Sequence, residues 1–279
     1  MKGLHLLGLR AERWTFDVML GAYLLGAGER NHDLPSVVAR YAGKALAQDA
    51  APVKQVEMIM QVIEPVREAL EQDKLMVVLQ RFELPLVPVL TRMEAAGIEI
   101  DRAYLGELTT EFRAERARLE KEMVEMVGRG FNPASPNQLM EVLFTDLRLS
   151  SQGIKQGKTG FSTAAAELEK LRGQHPIVEK IEDYREVSKL LSTYVEVLPL
   201  LADADNRVHT TFNQAVTATG RLSSSDPNLQ NIPVRTELGR RIRGAFVAPK
   251  GRVLVACDYS QIELRLAAAL SKDTAMTAA

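Results

Sequence analysis

The reading turns on a stretch near the end of the chain, where Val253-Leu254-Val255-Ala256-Cys257 runs into Asp258-Tyr259-Ser260-Gln261-Ile262-Glu263. The first five residues are apolar and include β-branched Val253 and Val255, so they read as a short buried strand. Ile262, Leu264, Leu266, Ala267 and Leu270 then read as a helix with few polar positions. This reading sets a carboxylate at the exposed end of a strand, with a second acid five residues on. Hard divalent cations want oxygen ligands, so Asp258 could hold one; it could equally cap the helix that follows. Glu263 has a double reading too, because Ser260-Gln261-Ile262-Glu263 has the form of a capping box.

Upstream lies a polar, turn-rich tract, Thr217-Ala218-Thr219-Gly220-Arg221-Leu222-Ser223-Ser224-Ser225-Asp226-Pro227-Asn228-Leu229-Gln230-Asn231-Ile232-Pro233. It reads either as a surface loop or as a set of hydrogen-bonding groups for the DNA minor groove. That groove offers nearly the same acceptors at every base pair, so Arg, Asn and Gln donors grip it with little regard to sequence. From Val208 to Arg252 the cations are Arg221, Arg235, Arg240, Arg241, Arg243, Lys250 and Arg252, against only Asp226 and Glu237. A basic surface on an otherwise neutral chain suits a grip on one run of phosphates, which positions a duplex without reading it.

The neutrality is visible in the whole chain. Over 279 residues the net charge is −1, so no global nucleic-acid signature exists, and 46% hydrophobic with 25% charged residues is ordinary for a soluble globular protein. This length holds one large core or two domains. No apolar run approaches a membrane span. Met1 to Leu9 is apolar but short, and Arg10 and Arg13 follow without a cleavage site, so no signal peptide is expected. The single cysteine, Cys257, cannot form an internal disulfide and reads as a small buried hydrophobe in a reducing setting.

Residues 1–83 are helical in pattern, with Gly26-Ala27-Gly28 as a loop. Val56, Ile59, Met60, Ile63 and Val66 form an expected buried stripe, with a kink at Pro65. A domain boundary is expected near Leu84-Pro85-Leu86. Thr91-Arg92-Met93-Glu94 has capping-box form, Gly97 ends a helix, and Ile98-Glu99-Ile100 looks extended. Asp101 is expected to cap a long helix with Leu105, Leu108, Phe112, Leu119, Met123 and Met126 on one face, closed by Gly128 and Gly130. Ile181, Tyr184, Val187, Leu191 and Leu198 trace another long helix from Ile177. From Arg207 onward, strand-like pieces complete an α+β reading. Gly153-Ile154-Lys155-Gln156-Gly157-Lys158-Thr159 mimics a phosphate loop, but three residues separate its glycines where four are needed, and no buried strand precedes it. It reads as a flexible basic loop.

The stretch from Thr217 to Arg243, with Asp258-Tyr259-Ser260-Gln261-Ile262-Glu263-Leu264-Arg265, resembles family-A DNA polymerases of the bacterial DNA polymerase I type. Leu84-Pro85-Leu86-Val87-Pro88-Val89-Leu90 resembles the start of the polymerase region, and Lys189 with Ser192-Thr193-Tyr194 its thumb-to-palm passage. Phe16-Asp17-Val18-Met19-Leu20 resembles the exonuclease-like domain. The resemblance implies a right-hand polymerase thumb (about 101–205) and partial palm (about 206–279), preceded over 1–83 by part of a ribonuclease H-like, 3′–5′ exonuclease-like domain. It implies that Asp258 is a catalytic, metal-binding aspartate and that the Tyr259 carbonyl completes part of the metal shell, with two Mg²⁺ ions in the intact enzyme. Tyr259, Ser260, Gln261 and Glu263 would bind the incoming nucleotide, Glu263 lying under its sugar. Arg221, Asn228, Gln230 and Asn231 would touch the primer–template minor groove, Lys189 and Arg241 the duplex, and Arg235 either the template or the nucleotide's phosphates.

The implied partners are primer–template DNA and deoxynucleoside triphosphates, with no membrane, for a monomer in the nucleoid-associated cytoplasm serving replication and repair. Two departures temper this. The exonuclease-like part lacks the family's Tyr-x-x-x-Asp motif: Ala27 and Ala45 stand four residues after Tyr23 and Tyr41, and the stretch around Val56-Glu57-Met58 offers no such aspartate. The first proofreading carboxylate would also precede this chain. No 3′–5′ excision is therefore expected, and residues 1–83 would be a scaffold. The fingers and a second catalytic carboxylate would lie past Ala279, so the chain is expected not to extend primers alone. The alternative reading is a non-catalytic module that grips duplex DNA; a nuclease is disfavoured by the missing carboxylates.

Overall fold

The computed structural model describes residues 15–29, 31–157 and 160–278. The apolar Met1–Leu9 run, Arg10, Arg13 and the Lys158-Thr159 pair of the phosphate-loop mimic lie outside the described residues. Helices and short strands mix, and the chain divides into two compact units at the Phe246/Val247 step.

The first unit holds two hydrophobic cores. One is built by α1 (Val18–Leu25), α2 (Leu34–Ala42) and α3 (Pro52–Gln72), with α1 and α2 both packed on α3. Their starts are fixed by side chains: Asp17 accepts from the amides of Met19 and Leu20, and Asp33 from that of Ser36. Each such cap satisfies amides that a helix start leaves unpaired and contributes about 1 kcal/mol. The buried stripe of α3 is Met58, Val62, Val66 and Leu70, while Val56 and Met60 are exposed. This corrects the expected stripe. Two apolar rows run side by side along α3 and share Val66; the covering helices lie over the i, i+4, i+8, i+12 row. Pro65 sits within a helix that continues on both sides of it.

Helical chain then runs from Met76–Val78 through a π-helical turn, Leu79–Glu83, into α4 (Leu84–Ala96). Helix therefore passes through the expected boundary at residue 84. Thr91 is inside α4, where its hydroxyl donates to the Val87 carbonyl at 2.9 Å, so the expected capping box there does not form. Gly97 ends α4 at φ 59°, with a Cβ site only 2.8 Å from the Val208 carbonyl oxygen, which excludes larger residues.

Strand β1 (Ile98–Ile100) follows, and Asp101 caps α5 (Arg102–Val127) by accepting from the Tyr104 amide at 2.9 Å. Leu105, Leu108, Phe112, Leu119 and Met123 are buried as expected, and left-handed Gly128 closes the helix. Met126, expected on that face, is exposed; the buried row continues from Met123 by i+4 to Val127, which packs against the core. The main cover of α5 is α8 (Ile177–Leu190), which continues through a π turn (Leu191–Val195) and is followed by α9 (Leu198–Leu201). Between them lie α6 (Pro136–Glu141) with a third π turn (Val142–Asp146), the hairpin β2 (Gln156–Gly157) and β3 (Gly160–Phe161), and α7 (Ala165–Leu168). Ile181, Tyr184, Val187, Leu191 and Leu198 all enter this second core.

The unit ends in small sheets. β4 (Arg207–Val208) pairs antiparallel with β1, Ile98 opposite Val208; β5 (Thr211–Asn213) pairs with β6 (Ser223–Ser225), Phe212 opposite Ser224. α10 (Glu237–Arg243) is capped by Thr236, whose hydroxyl accepts from the Gly239 amide at 3.1 Å. β7 (Phe246–Val247) joins the β4-β1-β7 sheet at the step between the units.

The second unit departs from expectation. Val253 to Cys257 form no strand; Val253 is 79% exposed, and Cys257 is exposed rather than buried. A β conformation needs a neighbouring backbone to take its amides and carbonyls, and among the described residues none pairs with this run. Asp258 therefore stands in an irregular exposed segment. α11 (Ile262–Ser271) starts with left-handed Gln261 at the cap position and no side-chain cap bond, so neither Asp258 nor Ser260 caps it. A short helix, α12 (Thr274–Ala278), packs on α11.

Candidate nucleic-acid interface

The tract from Thr217 to Asn231 is shaped from the inside. Ser224 is the central residue of three serines on β6; alternation turns it inward, and it is 3% exposed. Its hydroxyl receives the amides of Leu229 at 3.1 Å and Gln230 at 3.3 Å and donates to Asn228 Oδ1 at 3.2 Å. Asn228 Oδ1 also accepts from the amides of Gln230, at 3.1 Å, and Asn231, at 3.2 Å. Buried Thr210 donates to the carbonyls of Ser225 and Pro227, at 3.1 and 2.8 Å, on either side of the cis Asp226–Pro227 bond. These bonds take up the backbone of residues 225–231 and leave Gln230 and Asn231 exposed on its outer side.

At the other end, Thr217 Oγ1 donates to the Arg221 carbonyl at 2.5 Å across a turn containing Gly220 at φ 76°. Arg221 is exposed and makes an interaction of its own. Entry into the tract is also anchored: the Phe212 amide donates to Glu94 Oε1 at 2.7 Å, and Gln214 Nε2 to Glu83 Oε2 at 2.7 Å. His209 lies between the Glu94 carbonyl, 2.7 Å from Nδ1, and Asp203, 2.9 Å from Nε2. The imidazole, with backbone amides of Arg207 and Asp205, holds the Asp203 carboxyl below its ordinary value.

The arginines divide into two kinds. Arg241 is half-buried, forms a bidentate pair with Glu111 (2.6 Å for one contact) and lies 5.7 Å from the Phe112 ring centroid. Hydrogen bonding and charge from Glu111 raise the Arg241 pKa, and Arg241 in turn lowers that of Glu111. This guanidinium fastens α10 to α5. Arg243 donates to the Ile232 carbonyl at 3.2 Å and Arg240 to that of Arg235 at 2.8 Å, tying the tract's end to α10. Arg235 itself is exposed, as is Lys189 on the last turn of α8.

In the second unit, Asp258, Tyr259, Ser260, Gln261 and Glu263 all lie in the exposed stretch before and at the start of α11, and Arg265 Nε donates to the Ser260 carbonyl at 3.0 Å. Among the described residues no group of three or more His, Cys, Asp or Glu gathers so as to hold a metal ion. No helix among them is long and apolar enough to cross a membrane.

Sequence reasoning missed the residues that build the loop: Ser224, Thr210, Glu94 and Glu111. Three consecutive serines look alike, and only strand alternation singles out the middle one. The long-range partners Glu94 and Glu111 carry no local signal.

Comparison with known proteins points one way. A match to DNA polymerase family A spans residues 102–279. A thermostable DNA polymerase I of Thermus thermophilus is 48% identical over 278 residues, covering 98% of this chain and 33% of that protein. The corresponding enzyme of Thermus aquaticus is 50% identical over 260 residues (92% and 30%), and DNA polymerase I of Bacillus subtilis 39% over 287 (95% and 32%). Among solved structures, the POL domain of Pol1 from M. smegmatis, in complex with DNA primer-template and dNTP, superposes with a TM-score of 0.87 at 36% identity, over 98% of this chain and 48% of that one. The chain thus spans about a third of the length of these curated relatives.

Proposed function

From the premise that the chain belongs to DNA polymerase family A, we propose that it serves template-directed DNA synthesis as the thumb and part of the palm of such an enzyme. The observation that carries this reading is the internally braced tract whose outer residues, Arg221, Gln230 and Asn231, are presented on a fold that superposes on a polymerase domain in complex with primer-template and dNTP. Their donors suit the near-degenerate acceptors of the minor groove. Asn228 reaches the same surface but acts first as a brace. Lys189 and Arg235 are placed as exposed cations for the backbone. Arg241 contributes by holding α10, and meets DNA only by exchanging Glu111 for a phosphate. The polymerase names of the relatives favour this reading over a purely DNA-gripping module.

In the reaction, a primer 3′-hydroxyl attacks the α-phosphate of a deoxynucleotide and pyrophosphate leaves. This chain would orient the duplex, and Asp258 would place its carboxylate at the reacting centre, with Tyr259 to Gln261 and Glu263 beside the nucleotide. A divalent metal of this kind takes about six oxygen ligands. Asp258 and the Tyr259 carbonyl supply only part of such a shell, and no group of three or more His, Cys, Asp or Glu gathers among the described residues to complete it. The two-Mg²⁺ arrangement expected of the family needs ligands from elsewhere.

Within the first unit, the separate core over residues 20–84 supports a domain of its own before the thumb. Its Asp17 carboxylate is engaged as a helix cap, in keeping with a scaffold rather than a proofreading site. A cytoplasmic monomer acting in replication and repair completes the proposal.

The test is Asp258→Ala in the full-length protein. Primer extension should fall by about three orders of magnitude, roughly 4 kcal/mol of barrier, with duplex affinity nearly unchanged. Near-normal turnover would reject the assignment.

A further inference from the structure

Tyr23 is a buried residue of α1, 2% exposed, yet its hydroxyl donates to the Thr217 carbonyl, 194 residues away, at 2.6 Å. Its ring is held edge-on against His32, with centroids 5.5 Å apart, and His32 is itself 5% exposed. Among the described residues neither buried ring nitrogen of His32 has a hydrogen-bond partner, and burial lowers its pKa, which favours the neutral ring against the edge of Tyr23. The tyrosine is thus fixed on its own side. The residue it grips passes the constraint on: Thr217 Oγ1 donates to the Arg221 carbonyl at 2.5 Å, and Thr219 Oγ1 to Thr217 Oγ1 at 3.4 Å. Ala215 packs against the first core, two residues before the grip.

We infer that Tyr23 is a positioning residue for the Arg221 turn, so that the exonuclease-like part of the chain acts in DNA binding as the platform that holds this turn in place. The inference rests on the reading of Arg221 as a DNA contact. Tyr23→Phe is the sharpest probe, because it removes one hydroxyl and keeps the ring on His32. A net hydrogen bond contributes on the order of 1 kcal/mol, so the chain should bind a labelled primer–template duplex about three- to tenfold more weakly at fixed salt. Thr217→Val, which breaks the next link, should do the same.

The decisive readout is coupling. In an Arg221→Ala background, Tyr23→Phe should cause no further loss, since the residue it positions has gone. Amide exchange should quicken at residues 218–222 and stay unchanged over Met58–Leu70. Full additivity with Arg221→Ala, unchanged affinity, or unchanged exchange at 218–222 would overturn the inference while leaving the Arg221 contact intact. If Arg221→Ala itself leaves affinity unchanged, the contact reading fails and the inference with it. Should Tyr23→Phe lower the melting temperature sharply, Thr217→Val carries the same cycle, with the same outcomes deciding.

Discussion

Helices α5 and α11 both carry leucines at helical spacing, and they meet opposite surroundings. Along α5, Leu105, Leu108, Phe112, Leu119 and Met123 are all buried, covered chiefly by α8. Along α11, Leu264, Leu266 and Leu270 are exposed, Leu270 to 84%, and only Ala268 is buried. An apolar stripe states which side of a helix seeks cover, and a second element must supply it. The first stripe has such an element within the described residues. The second is packed chiefly by the short α12, and among the described residues the run from Val253 to Cys257 ahead of it has no strand partner. The braced region presents donors, and the uncovered one carries the carboxylate proposed for chemistry.

Three measurements sharpen this contrast. Leu108→Ala should cost about 2–5 kcal/mol in denaturant unfolding, the range for a leucine removed from a packed core. A loss under 1 kcal/mol would mean the α5–α8 seam is looser than its burial indicates. Smaller is the Glu111–Arg241 clamp, which is partly solvent-exposed and so stabilises by no more than about 1 kcal/mol. Because Arg241 lowers the Glu111 pKa, that contribution is complete above the ordinary glutamate value of 4.5 and is lost as pH falls through the lowered folded value. Comparing the acid limb of the melting curve for the chain and for Glu111→Gln reads this directly; identical limbs would remove the clamp from the account. Smallest is Leu266→Ala, expected within about 0.5 kcal/mol of the unaltered chain, as for an exposed position. A cost equal to that of Leu108→Ala would show that α11 is covered in solution.

The parts legible in the sequence were those decided locally. Asp101, Gly97 and Gly128 marked helix ends through caps and backbone conformation, and the α5 and α8 faces followed from spacing. Where the outcome depended on a distant partner, spacing was insufficient. The choice between two apolar rows on α3 depended on where α1 and α2 lie. Thr91 could not be told from a cap without knowing that helix precedes it. The tract mixes the two cases: its Arg, Gln and Asn content suggested a groove contact, and Ser224 braces it through residues only four to six positions on, hidden among three like serines, whereas the capture of Arg241 by Glu111 joins segments 130 residues apart.

The π turn Leu191–Val195 has a consequence for length rather than composition. Such a turn holds one residue more than an α turn. A π turn and an α turn each carry the chain about once around the axis, so deleting one residue there would let the helix close as an α turn while the chain beyond keeps its phase. Leu198 would stay in the core, and β4 would still meet β1 in register. Ser192 and Thr193, both exposed, can be exchanged for other side chains with little cost. What this segment holds is slack: one letter that the helix can lose without losing its bearing.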